Sequence, residues 1–154
     1  MAIPTTIDRS EEPPGRPANL KDQAASEFAF EAGGQTHVRV KVQQGFKAVS
    51  KPVGSELAAD KDFIPHRVVI NLAMQTLNGA AATRFPLPFE LRVLYTDEDA
   101  RQAGGSDKLK LAYWYNNRWH ILTTAEHNFK VETTGTLFVE LVSWPADPPI
   151  AVGH

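Results

Sequence analysis

The chain contains no cysteine, which removes disulfide bonds, thiolate metal ligands and a cysteine nucleophile together. It also lacks an excess of either charge. Sixteen Lys and Arg stand against 18 Asp and Glu, for a formal net charge of −2, and nucleic-acid binding normally needs a basic face that this balance does not supply. No apolar run approaches the length of a membrane span. The opening residues, MAIPTTIDRSEEPPGRP, have neither the basic start nor the apolar centre of a signal peptide. Neither a cleaved leader nor an anchor is therefore expected, and the missing cysteines leave the redox compartment open.

Chemistry-bearing motifs are absent too. No glycine-rich loop opens a helix to cradle phosphate, and Ser106 and Ser143 sit in no strand-to-helix elbow of the hydrolase kind. The five histidines, His37, His66, His120, His127 and His154, include no helical pair four apart. His120 and His127 could approach each other from adjacent strands near Glu126, as a zinc or acid–base pair, but solvated histidines are the simpler reading. Asp97, Glu98 and Asp99 could gather a hard cation. Their spacing fits better the first turn of a short helix capped by Thr96 and ended by Gly104 or Gly105. The expectation is no catalytic residue, no metal and no cofactor.

What is present is every-other-residue hydrophobicity. Phe28 and Phe30 alternate with Glu27, Ala29 and Glu31; Val38, Val40 and Val42 alternate with His37, Arg39 and Lys41. Val68, Ile70, Leu72 and Met74 follow the same rule, as do Phe89, Leu91, Val93 and Tyr95, with Pro86 and Pro88 at that strand's entry. Later, HNFKVET and GTLFVELVSW each suggest a strand, the second with Leu137, Val139 and Leu141 on one face and Phe138, Val142 and Trp144 on the other. Such alternation marks strands with one face in a core. With 154 residues and 42% hydrophobic content, one core suffices. The pattern predicts an all-β fold, a two-layer antiparallel β-sandwich of about seven to eight strands, over residues 27–145.

Two flanks fall outside that pattern. Residues 1–26 carry Pro4, Pro13, Pro14 and Pro17 without any period and read as an extended proline-rich arm, with Ile3 and Ile7 as apolar anchors against a neighbour. Residues 146–154 read as a proline-broken tail over the surface. Between the second and third strands, SELAADKDF could form a turn of helix capped by Ser55.

The segment KLKLAYWYNNRWHIL, from Lys108 to Leu122, reads as a β-hairpin turning at Asn116 and Asn117, residues that tolerate positive φ. A two-residue loop sets Trp114 opposite Trp119 on one face. A three-residue loop gathers Leu109, Leu111, Tyr113, Tyr115, Trp119 and Ile121 on one apolar face, and this more complete segregation makes it the expected register. Trp114, Tyr115, Trp119 and Trp144 are the candidate residues for binding a partner or a sugar ring, and Trp144, near its strand's end, could instead plug the sandwich.

FELRVLYTDEDAR followed by DKLKLAYWYNNRWHIL resembles the C-terminal half of ZU5-like β-sandwich domains of bacterial multidomain proteins, over residues 89–122. In that family a strand, a short acidic helical turn, an aromatic-rich strand and a Trp-containing return strand follow one another. The proline-glycine-alanine motif of the family's first half is missing from residues 27–64, and so is the His-Phe-Ser element at which some members cleave themselves. The resemblance implies the sandwich and a scaffold-like or adhesive role without self-cleavage. Two functions follow as expectations: a non-catalytic structural subunit of a homo-oligomer or larger protein assembly, making contacts through its arm and aromatic surface, or a carbohydrate-binding module that takes a glycan on the Trp114/Trp119 hairpin.

Overall fold

The computed structural model describes residues 24–32, 34–51 and 58–154. Residues 1–23 of the arm, with its anchors Ile3 and Ile7, and residues 52–57, with Ser55, lie outside the described residues; Ala25 and Ser26 belong to the first strand rather than to the arm, and residues 58–63 are not helical.

Alternation along the chain produces two five-stranded antiparallel sheets packed face to face. The first sheet runs β1 (Ala25–Ala32), β2 (Gln35–Gln43), β5 (Arg84–Leu94), β9 (Thr136–Ser143), β8 (Lys130–Val131). The second runs β3 (Phe46–Lys51), β4 (Pro65–Thr76), β10 (Pro149–Gly153), β6 (Lys110–Tyr115), β7 (Arg118–Ile121). Val38, Val40, Phe89, Leu91, Val93, Leu137, Val139 and Leu141 fill the interior from one side, and Ile70, Leu72, Met74, Leu111 and Ile150 from the other. Burying each such side chain contributes about 1.5–3 kcal/mol, which is why the buried face of every strand is so consistently aliphatic.

The described strands number ten rather than seven or eight, and β10 accounts for the main difference. Residues 146–154 are not a surface tail: Pro149–Gly153 is the central strand of the second sheet, pairing Ile150 with Ile70 on β4 and with Tyr113 on β6. Its sequence hides this role, because Pro145, Pro148 and Pro149 break the chain, and Ile150, Ala151 and Val152 are all fully buried instead of alternating. Continuous burial requires cover on both faces. The inner face meets the first sheet, and the outer face lies beneath a strap, Ala58 to Ile64, whose Phe63 joins Trp119, Ala112 and Ala151 in a second small core with Val68, Trp114 and Ile121 at its margin.

Val68 is thus on the outer face, not with Ile70, Leu72 and Met74 as the alternation predicts. The register on β10 shifts between Ile150 and Ala151, so that Ile70 and Val68 are paired and Val69 is the extra residue of a β-bulge. One extra residue reverses the side on which everything before it projects. His37 is also displaced from the solvated row and lies 3.2 Å from the Val69 carbonyl. The remaining cations of β2 stay outside, where Arg39 approaches Glu27 at 3.9 Å and Lys41 pairs in register with Glu27 and Glu90.

The acidic turn is α1 (Asp97–Ala103), as the sequence predicts. Thr96 and Asp99 form a reciprocal capping box and Gly104 closes the helix at φ 83°. HNFKVET behaves differently, because most of it is not strand. Thr123 accepts a hydrogen bond from the Glu126 amide and caps α2 (Thr124–His127), Asn128 ends it in the left-handed region, and only Lys130 and Val131 pair with β9.

The strap crosses so close to β10 that a Cβ on Gly153 would stand 2.1 Å from the Ile64 carbonyl oxygen and 2.8 Å from the Phe63 ring. Gly153→Ala is expected to cost about 1–3 kcal/mol by overpacking, read as a lower denaturation midpoint at an unchanged slope.

Candidate binding cleft at the sandwich mouth

Asn116 and Asn117 both take positive φ, 54° and 63°, which is the geometry of a two-residue hairpin turn. Trp114 therefore faces Trp119 and Tyr113 faces His120, so the three-residue register expected from apolar segregation is corrected. That expectation assumed that one face must collect all the apolar groups. Both faces of β6 and β7 are covered, so the turn's backbone preference decides instead.

This register does not leave an open Trp platform. Trp119 is 5% exposed; its indole Nε1 donates to the Ala58 carbonyl at 3.0 Å and its ring packs at 5.1 Å from Phe63. Asp60 ties the strap down. Its carboxylate accepts from the amides of Asp62 and Phe63 at 3.0 Å each and from the Trp119 amide at 3.2 Å. The Asp62 and Trp119 amides hold the Asp60 carboxyl below its ordinary value, against a smaller opposing effect of burial and with help from Phe63 and Arg118. Trp144 is 1% exposed and donates from Nε1 to the Leu72 carbonyl at 2.9 Å. It plugs the end of the sandwich and presents no face to a partner. Of the four aromatic candidates, Tyr115 is well exposed, Trp114 is half-buried, and Trp119 and Trp144 are internal.

The side chains that do line open space are neighbours of these. Where β9 ends and the hairpin projects, Tyr113 lies between Trp144, 5.1 Å away and tilted, and His120, 5.1 Å away and within 12° of parallel. His120 Nε2 donates to the Tyr115 carbonyl at 2.9 Å, so that in the neutral ring Nδ1 is the acceptor. One cleft of about 510 Å³ is bounded by Tyr113, His120, Arg118, Asp62, Glu126 and His127. A second, of about 280 Å³, continues past Tyr113 to Tyr115, Arg84 and Ser143. A third, of about 420 Å³, runs from Glu126 and His127 along Glu140 to Val142 and Ser143. Shared walls join them into one trough around the sandwich mouth.

Its electrostatics are mixed. Burial raises the Tyr113 phenol, reinforced by the Glu126 and Tyr115 charges. Burial also lowers the His127 imidazole, with Glu126 pulling the other way. Both groups are thus held neutral near pH 7, suited to hydrogen bonding and ring contact. His120, Glu126 and His127 do share this cleft, although His127 arrives on α2 and not on a strand. Among the described residues no three His, Asp or Glu side chains converge to hold a metal ion, and no helix is long and apolar enough to cross a membrane.

Trp119 and Trp144 are internal, whereas Tyr113, Arg84, Arg118 and Asp62 reach the cleft walls. Tyr113 looked like simple core, and Arg84, Arg118 and Asp62 carried no local signal because they meet only through the tertiary fold. No protein-family model, curated protein or solved structure matches the chain.

Asp60→Asn removes the acceptor of the Trp119 amide while keeping the other oxygen. Because the Asp60 carboxyl is lowered in the fold, its hold on the strap is complete above the ordinary carboxylate range and is lost as pH falls through the folded value. Faster hydrogen exchange at the Trp119 amide near neutral pH, and loss of that site's acid dependence below about pH 4, are expected in the variant.

Proposed function

We propose that this chain is a non-catalytic β-sandwich scaffold that associates with further copies of itself or with a larger protein assembly through the aromatic mouth, with residues 1–26 as an additional arm. The observation that carries the reading is the position of exposed apolar groups. Tyr115, 46% exposed, and Val142, 58% exposed, flank clefts that share Ser143, with Arg84 and Glu126 beside them. An aromatic and aliphatic centre within a charged rim is the usual anatomy of a protein interface. The resemblance of residues 89–122 to ZU5-like domains supports a scaffold role in the same direction.

A second reading, a glycan-binding module, is favoured by the polar character of the trough, where ring faces of Tyr113, Tyr115 and His120 stand beside Arg118, Asp62 and Glu126. Sugar sites combine these two kinds of group. Tyr115 and Tyr113, rather than Trp119, would make the ring contact.

Light scattering across a concentration series is expected to show reversible self-association that weakens at least about tenfold in Tyr115→Ser with Val142→Ser, corresponding to about 1.4 kcal/mol. A chain that stays monomeric at all concentrations, with or without residues 1–26, counts against the scaffold reading. Binding on a broad glycan array that disappears in Tyr115→Ala is the outcome expected of the second reading, and an empty array removes it.

A further inference from the structure

Opposite the mouth lies a buried polar network that neither reading uses. His66 and Asp99 side chains are each 3% exposed, with His66 Nδ1 3.2 Å from Asp99 Oδ1. Asp99 Oδ2 accepts from the Arg67 guanidinium at 2.7 Å and from the Thr96 amide at 2.9 Å. On its far side His66 Nε2 lies 2.8 Å from His154 Nδ1. The backbone of His154 is paired with the strap, its amide donating to the Ile64 carbonyl at 3.1 Å and its carbonyl accepting from the Ile64 amide at 2.7 Å. The imidazole pair therefore ties the end of β10 to the start of β4, directly beside the backbone pair that holds the strap's last residue.

Proton counting decides how this contact responds to acid. With both rings neutral, Nδ1–H of His66 faces Asp99, and His66 Nε2 accepts from His154 Nδ1–H. One added proton still leaves a single hydrogen between the two nitrogens, and the cation formed lies beside Asp99. A second added proton puts a hydrogen on each nitrogen. The bond is then impossible, and two imidazolium rings with centroids 5.0 Å apart repel. Asp99 offers no second counter-charge, because Arg67 already neutralises it. Burial opposes the ionised Asp99, but Arg67, Thr96 and His66 outweigh that effect and hold its carboxyl below the ordinary value, so it remains a carboxylate while histidines charge.

The other charged side chains around the pair are engaged elsewhere or exposed. Lys110 on β6 pairs in register with Gly153 and donates to the Asp62 carbonyl. It adds positive charge. Asp60 is engaged with strap amides, Lys61 and Asp62 are exposed, and on α1 Glu98 is bound to Arg101 on the outer side while Asp97 is exposed.

We propose that the His66–His154 contact is an acid-sensitive latch, which releases the Ile64 end of the strap from β10 when both rings are protonated and so opens access to the covered aromatic cluster of Phe63 and Trp119. Asp60 anchors the strap's other end through its amide contacts, so the first response is local.

Hydrogen exchange of the full chain, corrected for intrinsic rates, tests this. Protection of the Ile64 and His154 amides is expected to fall at least about tenfold once acid has charged both rings, whereas amides in β5 and β9 hold theirs. In His154→Asn the side-chain amide supplies a donor near the Nδ1 position but cannot take up a proton, and the Ile64 dependence should vanish. Imidazole carbon shifts of the unaltered chain provide the second measurement, expected to show two separate protonation steps, with loss of Ile64 protection following the second. Undiminished Ile64 protection when both rings are charged, or an acid dependence retained in His154→Asn, overturns the proposal.

Discussion

The second sheet exists because β10 fills the space between β4 and β6. Those two strands share no hydrogen bond with each other, and without Pro149–Gly153 the sheet would divide into a β3–β4 pair and a β6–β7 hairpin. Two-stranded pieces are marginal by themselves. Everything on that side of the molecule depends on the same five residues: the inner core through Ile150 and Val152, the outer core through Ala151, and the strap through the side-chain-free approach at Gly153. The strap in turn depends on one carboxylate, Asp60, for its shape, and on the Trp119 indole for its position.

Much of this architecture was legible because burial on one face leaves a period-two trace. Val38, Val40, Val42, Leu72, Met74, Leu91 and Leu137 are internal as their spacing predicts, and the Thr96 cap was visible ahead of its acidic first turn. The failures share a cause. Val68 lies before a bulge, β10 is buried on both faces, and β6 and β7 have cover from a strap as well as from the opposite sheet. In each case the alternation rule lost its premise that one face is wet. Trp119 offers a ring for contact by sequence, and Trp144 either a contact or a plug for the sandwich; in the fold a carbonyl acceptor waits for each indole N–H, at Ala58 and Leu72. Those acceptors come from positions 61 and 72 residues distant, beyond the reach of any local pattern.

The two polar centres of the molecule contrast in design. At the mouth, Tyr113, His120, Arg118 and Glu126 border open space, and their neutral and charged groups are arranged side by side for a ligand or a partner to engage. Around Asp99 the polar atoms are consumed by one another: the carboxylate serves a helix cap, a guanidinium and an imidazole simultaneously. Buried polar groups satisfied this completely specify a structure more than they strengthen it. The first centre is the one on which the proposed function rests, and the second records which strand must lie next to which.

The long sequence distance spanned by β10 has a kinetic side. His66 and His154 are 88 residues apart yet their rings touch, so the second sheet closes only after a large loop has been brought together, a slow event in β proteins. Until then β4 and β6 flank a vacant slot one strand wide, with unpaired amides and carbonyls along both walls. A second molecule carries the same PIAVG segment, and its strand satisfies those walls as well as the chain's own. A strand exchanged between molecules would therefore meet the same pairing partners as the chain's own.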